Sequence, residues 1–297
     1  MRRAFVLLAA LLALLAPAAL AQGPAMIPVP PIAPGPAPGP ARIVGGPGPG
    51  CIAGAELLPE SGPGFMTVRE SRSAFWGHPE VIAALKLLGQ RAQEAGLPVL
   101  LMNDISGPRG GPLPGGHVSH QLGLDADVYL DVVTPRPERA ARAARDAIDP
   151  PGLVRPDQRG VDMARWRPQH VTLLKLAATL PGVDRVLVNA AIKQQLCREV
   201  PANDREWLRR IRPWYAHAAH MHIHFRCPAG QPECGDFAPI PPGDGCDATL
   251  QWWFDRLDQP PERKPPAGKP RPPMVPAACH AILTAPSSAA LPVRARP

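Results

Sequence analysis

The chain has 297 residues and a mass of 31.6 kDa, which allows one large domain or two ordinary ones. Apolar residues make up 45% of it, so a fully disordered protein is excluded, but 43 prolines and 27 glycines exclude regular structure throughout. The net charge of +7 favours an anionic partner, such as nucleic acid, a membrane surface or a bacterial wall, without choosing between them.

The first 21 residues are typical of a secretory signal peptide. Arg2 and Arg3 precede an apolar run over 4–15, and residues 19–21 form a small-x-small cleavage site. The run is shorter than the ~20 residues that span a bilayer, so we expect cleavage after Ala21 and export instead of a membrane anchor. No later segment is long and apolar enough to be a membrane span, and loss of the two arginines lowers the net charge to +5.

Composition divides the remaining chain into three parts. The segment 22–50 contains 10 prolines and 7 glycines and has little to bury, so it is predicted to be an extended linker. The folded domain is predicted over 51–258. The segment 259–297 is predicted to be a proline-rich tail, in which Cys279 would tie the chain back to the domain through a disulfide.

Inside 51–258, hydrophobic periodicity predicts a mixture of helices and strands. Helices are expected over 79–95, over 168–180 and, after an Asp204 cap, over a short segment with Trp207, Leu208 and Ile211. Strands are expected over 99–102, 124–130, 185–188 and 220–225. Because these elements do not follow a strict β-α-β order, the fold class is predicted to be α+β.

The chain has an even number of cysteines: Cys51, Cys197, Cys227, Cys234, Cys246 and Cys279. In an exported protein this count predicts three disulfides, chosen from 15 possible pairings. Cys227 and Cys234 are close enough in sequence to close a small loop. A structural zinc site is the alternative, and the absence of any C-x-x-C pair argues against it.

Six of the nine histidines lie in two clusters: His117 with His120, and His217 with His220, His222 and His224. Side chains two residues apart share one face of a strand, so the three alternating histidines of 220–225 would point the same way. Asp125 and Asp127 likewise share the polar face of the strand 124–130. If the two strands are neighbours, imidazoles and carboxylates converge on one cavity.

This donor set predicts a metal site, with solvated surface histidines as the alternative. Imidazole and carboxylate suit Zn²⁺, although the ligand types leave a redox metal open. With three protein ligands, zinc activates water and polarises a carbonyl, which makes hydrolysis the natural reaction class. An unligated histidine nearby can take a proton or stabilise an oxyanion. Asp125 either supports a ligand or is merely an acid at the end of a strand.

The segments around these clusters are more specific than the clusters themselves: 51–55, 75–79, 115–121, 189–197, 212–214 and 242–246, together with 226–228 after the second cluster. Over about 51–255 and the terminal cysteine, the sequence resembles the penicillin-insensitive murein endopeptidases. These exported zinc peptidases belong with the lysostaphin, D-Ala-D-Ala carboxypeptidase and hedgehog group, which shares an H-x6-D … H-x-H metal signature. His120 and Asp127 fulfil the first half of that signature.

The second half is ambiguous, because either His220 with His222 or His222 with His224 fits H-x-H. Counted back from Cys227, the family's catalytic histidine falls on His220 and its ligand on His222. The resemblance implies the following roles: His120, Asp127 and His222 as zinc ligands, His220 as base or water orienter, His217 near the substrate carbonyl, and His117 in the cavity as a ligand in some metal states.

The resemblance also implies the disulfides Cys51–Cys279, Cys197–Cys246 and Cys227–Cys234. A second metal position of the family would use Asp157 and an histidine, but the place of that histidine falls on Gly160. One zinc ion is therefore expected.

The implied protein is a periplasmic zinc endopeptidase that hydrolyses D-alanyl–meso-diaminopimelyl cross-links of peptidoglycan. Penicillin should not inhibit it, because no serine nucleophile takes part. The implied fold is α+β, with a central antiparallel sheet that carries the zinc site, flanking helices and disulfide-tied loops. The alternatives are a related L,D-endopeptidase or D,D-carboxypeptidase, or a non-catalytic zinc fold that binds the wall. Nucleic acid is not an expected partner, since no basic patch interleaved with aromatic residues occurs, and nothing indicates the oligomeric state.

Overall fold

The computed structural model describes residues 25–114, 117–134, 141–259 and 272–287. The predicted signal peptide, the two glycines before His117 and most of the second proline-rich segment lie outside the described residues. In the described ranges, the strands are β1 (Met26–Pro28), β2 (Arg42–Gly45), β3 (Gly50–Ala53), β4 (Glu56–Leu57), β5 (Ser61–Gly62), β6 (Phe65–Thr67), β7 (Trp76–Gly77), β8 (Leu100–Met102), β9 (Asp125–Tyr129), β10 (Val183–Val188), β11 (Ile211–Pro213), β12 (His220–Phe225) and β13 (Met274–Pro276). The helices are α1 (Pro79–Glu94), α2 (Arg142–Asp146), α3 (Pro168–Ala178), α4 (Ala190–Glu199), α5 (Ala248–Asp255) and α6 (Cys279–Thr284).

Seven strands form the main sheet, in the order β11-β10-β12-β9-β8-β6-β5. The central strands β10, β12, β9 and β8 pair antiparallel with one another. The prediction of an antiparallel sheet is confirmed for this centre but wrong for two outer pairs, β10 with β11 and β6 with β8, which are parallel. The connections explain this difference, since α4 and α1 supply the crossovers that parallel neighbours require.

The pairing of β9 with β12 brings the two polar strand faces together. In the antiparallel register, Asp127 lies opposite His222 and Asp125 lies opposite His224. The other face of β12 is apolar, and its Met221, Ile223 and Phe225 are buried in the main core. The two strands are therefore neighbours, and the predicted alternation of their side chains is confirmed.

Helix α1 packs against the sheet as its periodicity predicts. Val81, Leu85 and Leu88 are buried, Pro79 occupies the first turn, and the helix ends one residue before the predicted limit. Helices α1 and α3 also contact each other and cover the sheet together. None of the helices in the described part of the chain has the length and apolar character that a membrane crossing needs.

The predicted helix after Asp204 is wrong. The segment forms two 3₁₀ turns, Ala202–Asp204 and Glu206–Arg210, after which Ile211 begins β11. The Asp204 carboxylate accepts hydrogen bonds from Lys175 Nζ at 2.7 and 2.8 Å, so it caps no helix. Trp207 and Leu208 are nevertheless buried, as their apolar character requires.

The predicted linker is folded in its described part, over 25–50. Strand β2 pairs with β3, and β1 pairs with β13 near the C-terminus. Ala37 and Val44 are buried in a small core together with Ile282 of α6. The folded body thus extends beyond 51–258 at both ends, because sparse apolar residues of the two proline-rich segments bury one another.

The three disulfides implied by the resemblance are confirmed. Cys51–Cys279 joins residues 228 apart in sequence, Cys197–Cys246 joins residues 49 apart, and Cys227–Cys234 joins residues 7 apart. The first bond ties α6 to β3, and the second ties the segment before α5 to α4.

Replacement of Cys51 and Cys279 by alanine should reduce the free energy of unfolding more than replacement of Cys227 and Cys234. The chain-entropy estimate of the difference is about 3 kcal/mol, because the longer loop restricts the unfolded chain more. Denaturant titration of both double variants under oxidising conditions measures it. Equal losses of unfolding free energy would show that the long-range disulfide stabilises the protein no more than the short-range one.

Candidate metal centre

His120 is positioned by its backbone as well as by its ring. Its φ of 62° is left-handed, which is unfavourable for a residue with a β-carbon. Two contacts hold it there: its N–H donates to Asp125 Oδ2 at 3.1 Å, and Nδ1 lies 3.0 Å from the carbonyl oxygen of Ile105. Because that carbonyl can only accept a hydrogen bond, Nδ1 carries a proton. Nε2 is therefore the nitrogen that can coordinate a metal ion.

Asp127 is the common neighbour of the histidines in both clusters. Its Oδ1 lies 3.5 Å from His120 Nε2 and 3.1 Å from His222 Nδ1, and its Oδ2 lies 3.8 Å from His220 Nε2. Asp127, His120 and His222 are buried, whereas the His220 side chain is 32% exposed. The structure therefore brings His120, His220 and His222 around the Asp127 carboxylate, and this group is partly exposed at His220.

Asp125 lies directly behind this group. Its Oδ1 is 2.9 Å from His222 Nε2 and 2.8 Å from His224 Nδ1, while its Oδ2 accepts from the backbone of His120. These contacts favour the role of Asp125 as a support for ligand histidines over that of an acid that only ends a strand. His224 had no predicted role, although its place in the alternating strand was the signal that could have identified it.

Two groups of three residues in the described part of the chain have donor atoms within 4.8 Å of one another and could hold a metal ion: His117, His120 and Asp127, and Asp125, His222 and His224. His222 touches both groups, because its two ring nitrogens face Asp127 and Asp125. The predicted ligand set takes two members from the first group and one from the second.

His117 and His217 lie next to this group of residues. The His117 ring lies 5.2 Å from that of His120, and the His217 ring lies 5.1 Å from that of His220 and 5.9 Å from that of His222. His217 Nδ1 is 2.6 Å from the carbonyl oxygen of Tyr215, so this nitrogen carries the proton and Nε2 is left as an acceptor.

Asp104 is a further acid at this site that sequence analysis missed. It is buried just after β8, its Oδ2 lies 3.6 Å from His117 Nε2, and the same oxygen is paired with Arg72. Its backbone carbonyl accepts from the N–H of Asp127 at 3.0 Å. The available signal was a carboxylate directly after a short buried strand.

Burial and charge shift the pKa values of this cluster in opposite directions. Burial alone would raise the pKa of Asp125 and Asp127, but the neighbouring histidines hold both well below the usual range. Burial alone would lower the pKa of His222, but hydrogen bonds to both aspartates raise it to about 10. Two buried carboxylates thus keep a proton on the ring between them.

Those two carboxylates create the negative potential that a cation site requires. A divalent ion would replace the positive charge that His222 otherwise holds as a proton, since imidazole must be neutral to coordinate. Imidazole nitrogen together with carboxylate oxygen is a donor set that zinc accepts. The residues therefore fit a bound Zn²⁺.

The pKa values of His117, His217 and His220 shift in the opposite direction from that of His222. Burial, reinforced by the neighbouring His220 and His222, lowers the pKa of His217 to about 4 despite its bond to the Tyr215 carbonyl. Burial also lowers the pKa of His220 and of His117. These three rings are neutral at neutral pH and can accept protons.

At the second metal position that the family would use, the Asp157 carboxylate is paired with Arg155. Its Oδ2 lies 2.9 Å from Arg155, and its Oδ1 accepts from the N–H of Arg159 at 3.0 Å. A β-carbon at Gly160 would lie 3.3 Å from the Arg155 guanidinium. A cation therefore already occupies the neighbourhood of this carboxylate.

Comparison with known proteins places this site in a family. The family model described as penicillin-insensitive murein endopeptidase matches residues 43–284. The chain is 43% identical to the penicillin-insensitive murein endopeptidase of Klebsiella pneumoniae over 245 residues, which cover 82% of this chain and 87% of that protein. It is also 43% identical to the proteins of that name from Salmonella newport and Salmonella typhimurium over 251 residues, which cover 84% of this chain and 88% of theirs. The chain belongs to the penicillin-insensitive murein endopeptidase family.

In the metal-free protein, His222 should stay protonated up to a pH of about 10, whereas His217 should be neutral above a pH of about 4. Asp125→Asn removes one of the two carboxylates that raise the pKa of His222, so this pKa should fall. Nitrogen-15 NMR of the histidine rings in a chelator measures both values.

Asp157→Asn is the matched control, because it removes an exposed carboxylate that is paired with Arg155. It should leave the titration of His222 unchanged. An ordinary pKa for His222 in the unmodified protein would contradict the charge balance described above.

Proposed function

We propose that this protein is an exported zinc endopeptidase that hydrolyses the peptide cross-links of peptidoglycan. The buried histidine and aspartate centre on β9 and β12, in a chain of this family, is the observation that carries the proposal. Three disulfides suit the oxidising periplasm, as does the signal-like sequence at the N-terminus.

We assign His120, Asp127 and His222 as the zinc ligands. Asp127 Oδ1 lies between His120 Nε2 and His222 Nδ1, and the opposite nitrogen of each ring is held by the Ile105 carbonyl or by Asp125. Such partners fix the ring orientation and the tautomer of a ligand histidine. When bound, the zinc ion activates water and polarises the scissile carbonyl.

His220 is the proposed base. Its ring is neutral at neutral pH, lies on the open side of the cavity and approaches Asp127 Oδ2 to 3.8 Å, so the imidazolium formed on proton uptake would have a nearby counter-charge. The same ring can return the proton to the leaving amine.

His217 is proposed to act near the substrate carbonyl. With Nδ1–H bound to the Tyr215 carbonyl, its Nε2 can accept a hydrogen bond there. His117 lies beside Asp104 and would line the cavity next to the ligands.

The proposed scissile bond joins D-alanine to meso-diaminopimelate. Penicillin inhibits enzymes by acylating a serine nucleophile. Cleavage by activated water uses no such serine, so penicillin should not inhibit this reaction. The open side of the cavity, with the partly exposed His117, His217 and His220, is where the stem peptides would enter.

Purified cross-linked muropeptide dimers should be converted to intact monomers by the zinc-loaded protein, and mass spectrometry of the products identifies the bond. A chelator should stop the conversion, zinc should restore it, and penicillin should have no effect. Cleavage at an L,D bond or release of terminal D-alanine alone would reassign the bond. No cleavage by a folded protein with bound zinc would instead indicate a wall-binding protein.

His222→Ala and Asp127→Ala should abolish both zinc binding and activity, because each removes a ligand. His220→Ala should retain zinc while its kcat falls by about 10²–10⁴-fold, the usual contribution of a general base. Metal analysis and muropeptide kinetics on the same samples separate the two classes.

His280→Ala, which removes an exposed histidine from α6, is the control and should match the unmodified protein in both measurements. Loss of zinc in His220→Ala would assign that ring to the ligand set instead of the proton transfer.

A further inference from the structure

Four aromatic rings lie together next to the candidate metal centre: Trp214 and Tyr215, which follow β11, and Trp252 and Trp253 of α5. The Tyr215 and Trp253 ring centres are 4.9 Å apart, and those of Trp253 and Trp252 are 5.2 Å apart. Trp214, Tyr215 and Trp252 are 50%, 56% and 47% exposed. We call this surface the aromatic platform.

Hydrogen bonds, buried side chains and a disulfide hold the two segments that carry the platform. Trp214 N–H donates to the Val188 carbonyl at 2.8 Å, and the Asn189 side chain donates to the Ala216 carbonyl at 3.0 Å. Helix α5 is anchored by buried Leu250 and Phe254. The Cys197–Cys246 bond also ties the segment just before α5 to α4. The backbone that carries these rings is therefore held in place before a ligand binds.

The platform is continuous with the proposed active site. Tyr215 and His217 are two residues apart, so their α-carbons are separated by at most about 7 Å. Ala216 and His217 adopt φ values of 57° and 48°, a left-handed turn between the two rings. After this turn the Tyr215 side chain is exposed, while the His217 ring lies 5.9 Å from that of His222.

We propose that the aromatic platform binds the glycan strand of peptidoglycan while the peptide cross-link attached to that strand occupies the metal centre. This inference rests on the proposed function and names a second part of the same substrate. The C–H faces of sugar rings stack on the electron-rich faces of aromatic rings. A surface of exposed aromatic rings is therefore better suited to bind a polysaccharide than a surface of aliphatic side chains.

The length of a peptidoglycan stem supports this arrangement. Four extended α-linked residues span about 14 Å, so a cross-link at the metal centre keeps its glycan strand at a distance of that order from the scissile bond. Arg256 adds a positive charge at the platform, with its guanidinium carbon 4.8 Å from the Trp252 ring centre. That charge is complementary to the carboxylates of stem peptides that hang from the strand.

Isothermal titration calorimetry with peptide-free glycan strands tests the inference directly. The strands are prepared by enzymatic removal of all stem peptides, and the protein is used with its metal bound. The unmodified protein should bind, Trp252→Ala should bind about tenfold more weakly through loss of one stacking surface, and Trp252→Phe should recover most of the affinity. Leu257→Ala, an exposed apolar change outside the platform, should bind like the unmodified protein.

No binding, or equal binding by Trp252→Ala, would overturn the inference. So would a concentration-dependent dimer that Trp252→Ala abolishes, because a second copy of this chain would then cover the platform. Peptide-free strands contain no cleavable cross-link, so the result is independent of peptidase activity. A protein that binds the strands and cleaves no muropeptide would refute the proposed function and leave glycan binding by the aromatic platform standing.

Discussion

The antiparallel pairing of β9 with β12 is the constraint on which both the core and the candidate site depend. Because side chains alternate along a strand, a slip of one residue would turn every imidazole and carboxylate to the opposite face. Ala126 and Val128 of β9 and Ile223 of β12 are buried in the main core. Their burial fixes the register, and the register in turn sets Asp127 opposite His222. Packing on one face of the sheet therefore assembles the donor atoms on the other.

Two buried carboxylates this close together are costly unless positive charge accompanies them. Asp125 and Asp127 meet this requirement through His222, whose pKa they raise to about 10, and through His120, whose pKa Asp127 raises despite burial. The protein can therefore fold around a protonated site, and a metal ion would take the place of that proton. Metal binding at such a site is coupled to proton release and so to pH. Because His217 and His220 have lowered pKa values, they remain neutral beside this charged interior.

The parts of the site that local alternation encodes could be predicted from the sequence, and the parts that depend on distant contacts could not. The strand 220–225 and the H-x6-D pair are local patterns. Helix α4 was missed because Lys193 interrupts its apolar face, although this side chain is buried and donates to the Leu208 carbonyl at 2.6 Å. Segment 25–50 looked like a linker because its partners, β13 and α6, lie more than 220 residues away. Asp104 was missed because it belongs to no recognised motif, and only the fold brings it to His117.

Helix α4 connects the proposed chemistry to the proposed recognition surface. Asn189, at its N-terminus, donates to the carbonyls of Ala216 and His217 and so fixes the turn that carries His217. Cys197, near its C-terminus, ties down the segment that precedes the tryptophans of α5. Binding energy gained far from the scissile bond can be used to orient the reacting groups, provided that the two surfaces are rigidly joined. Through this one helix, a glycan strand held on the aromatic platform would align its cross-link with His217, His220 and the metal ligands, so that an intact wall should be a better substrate than an isolated peptide.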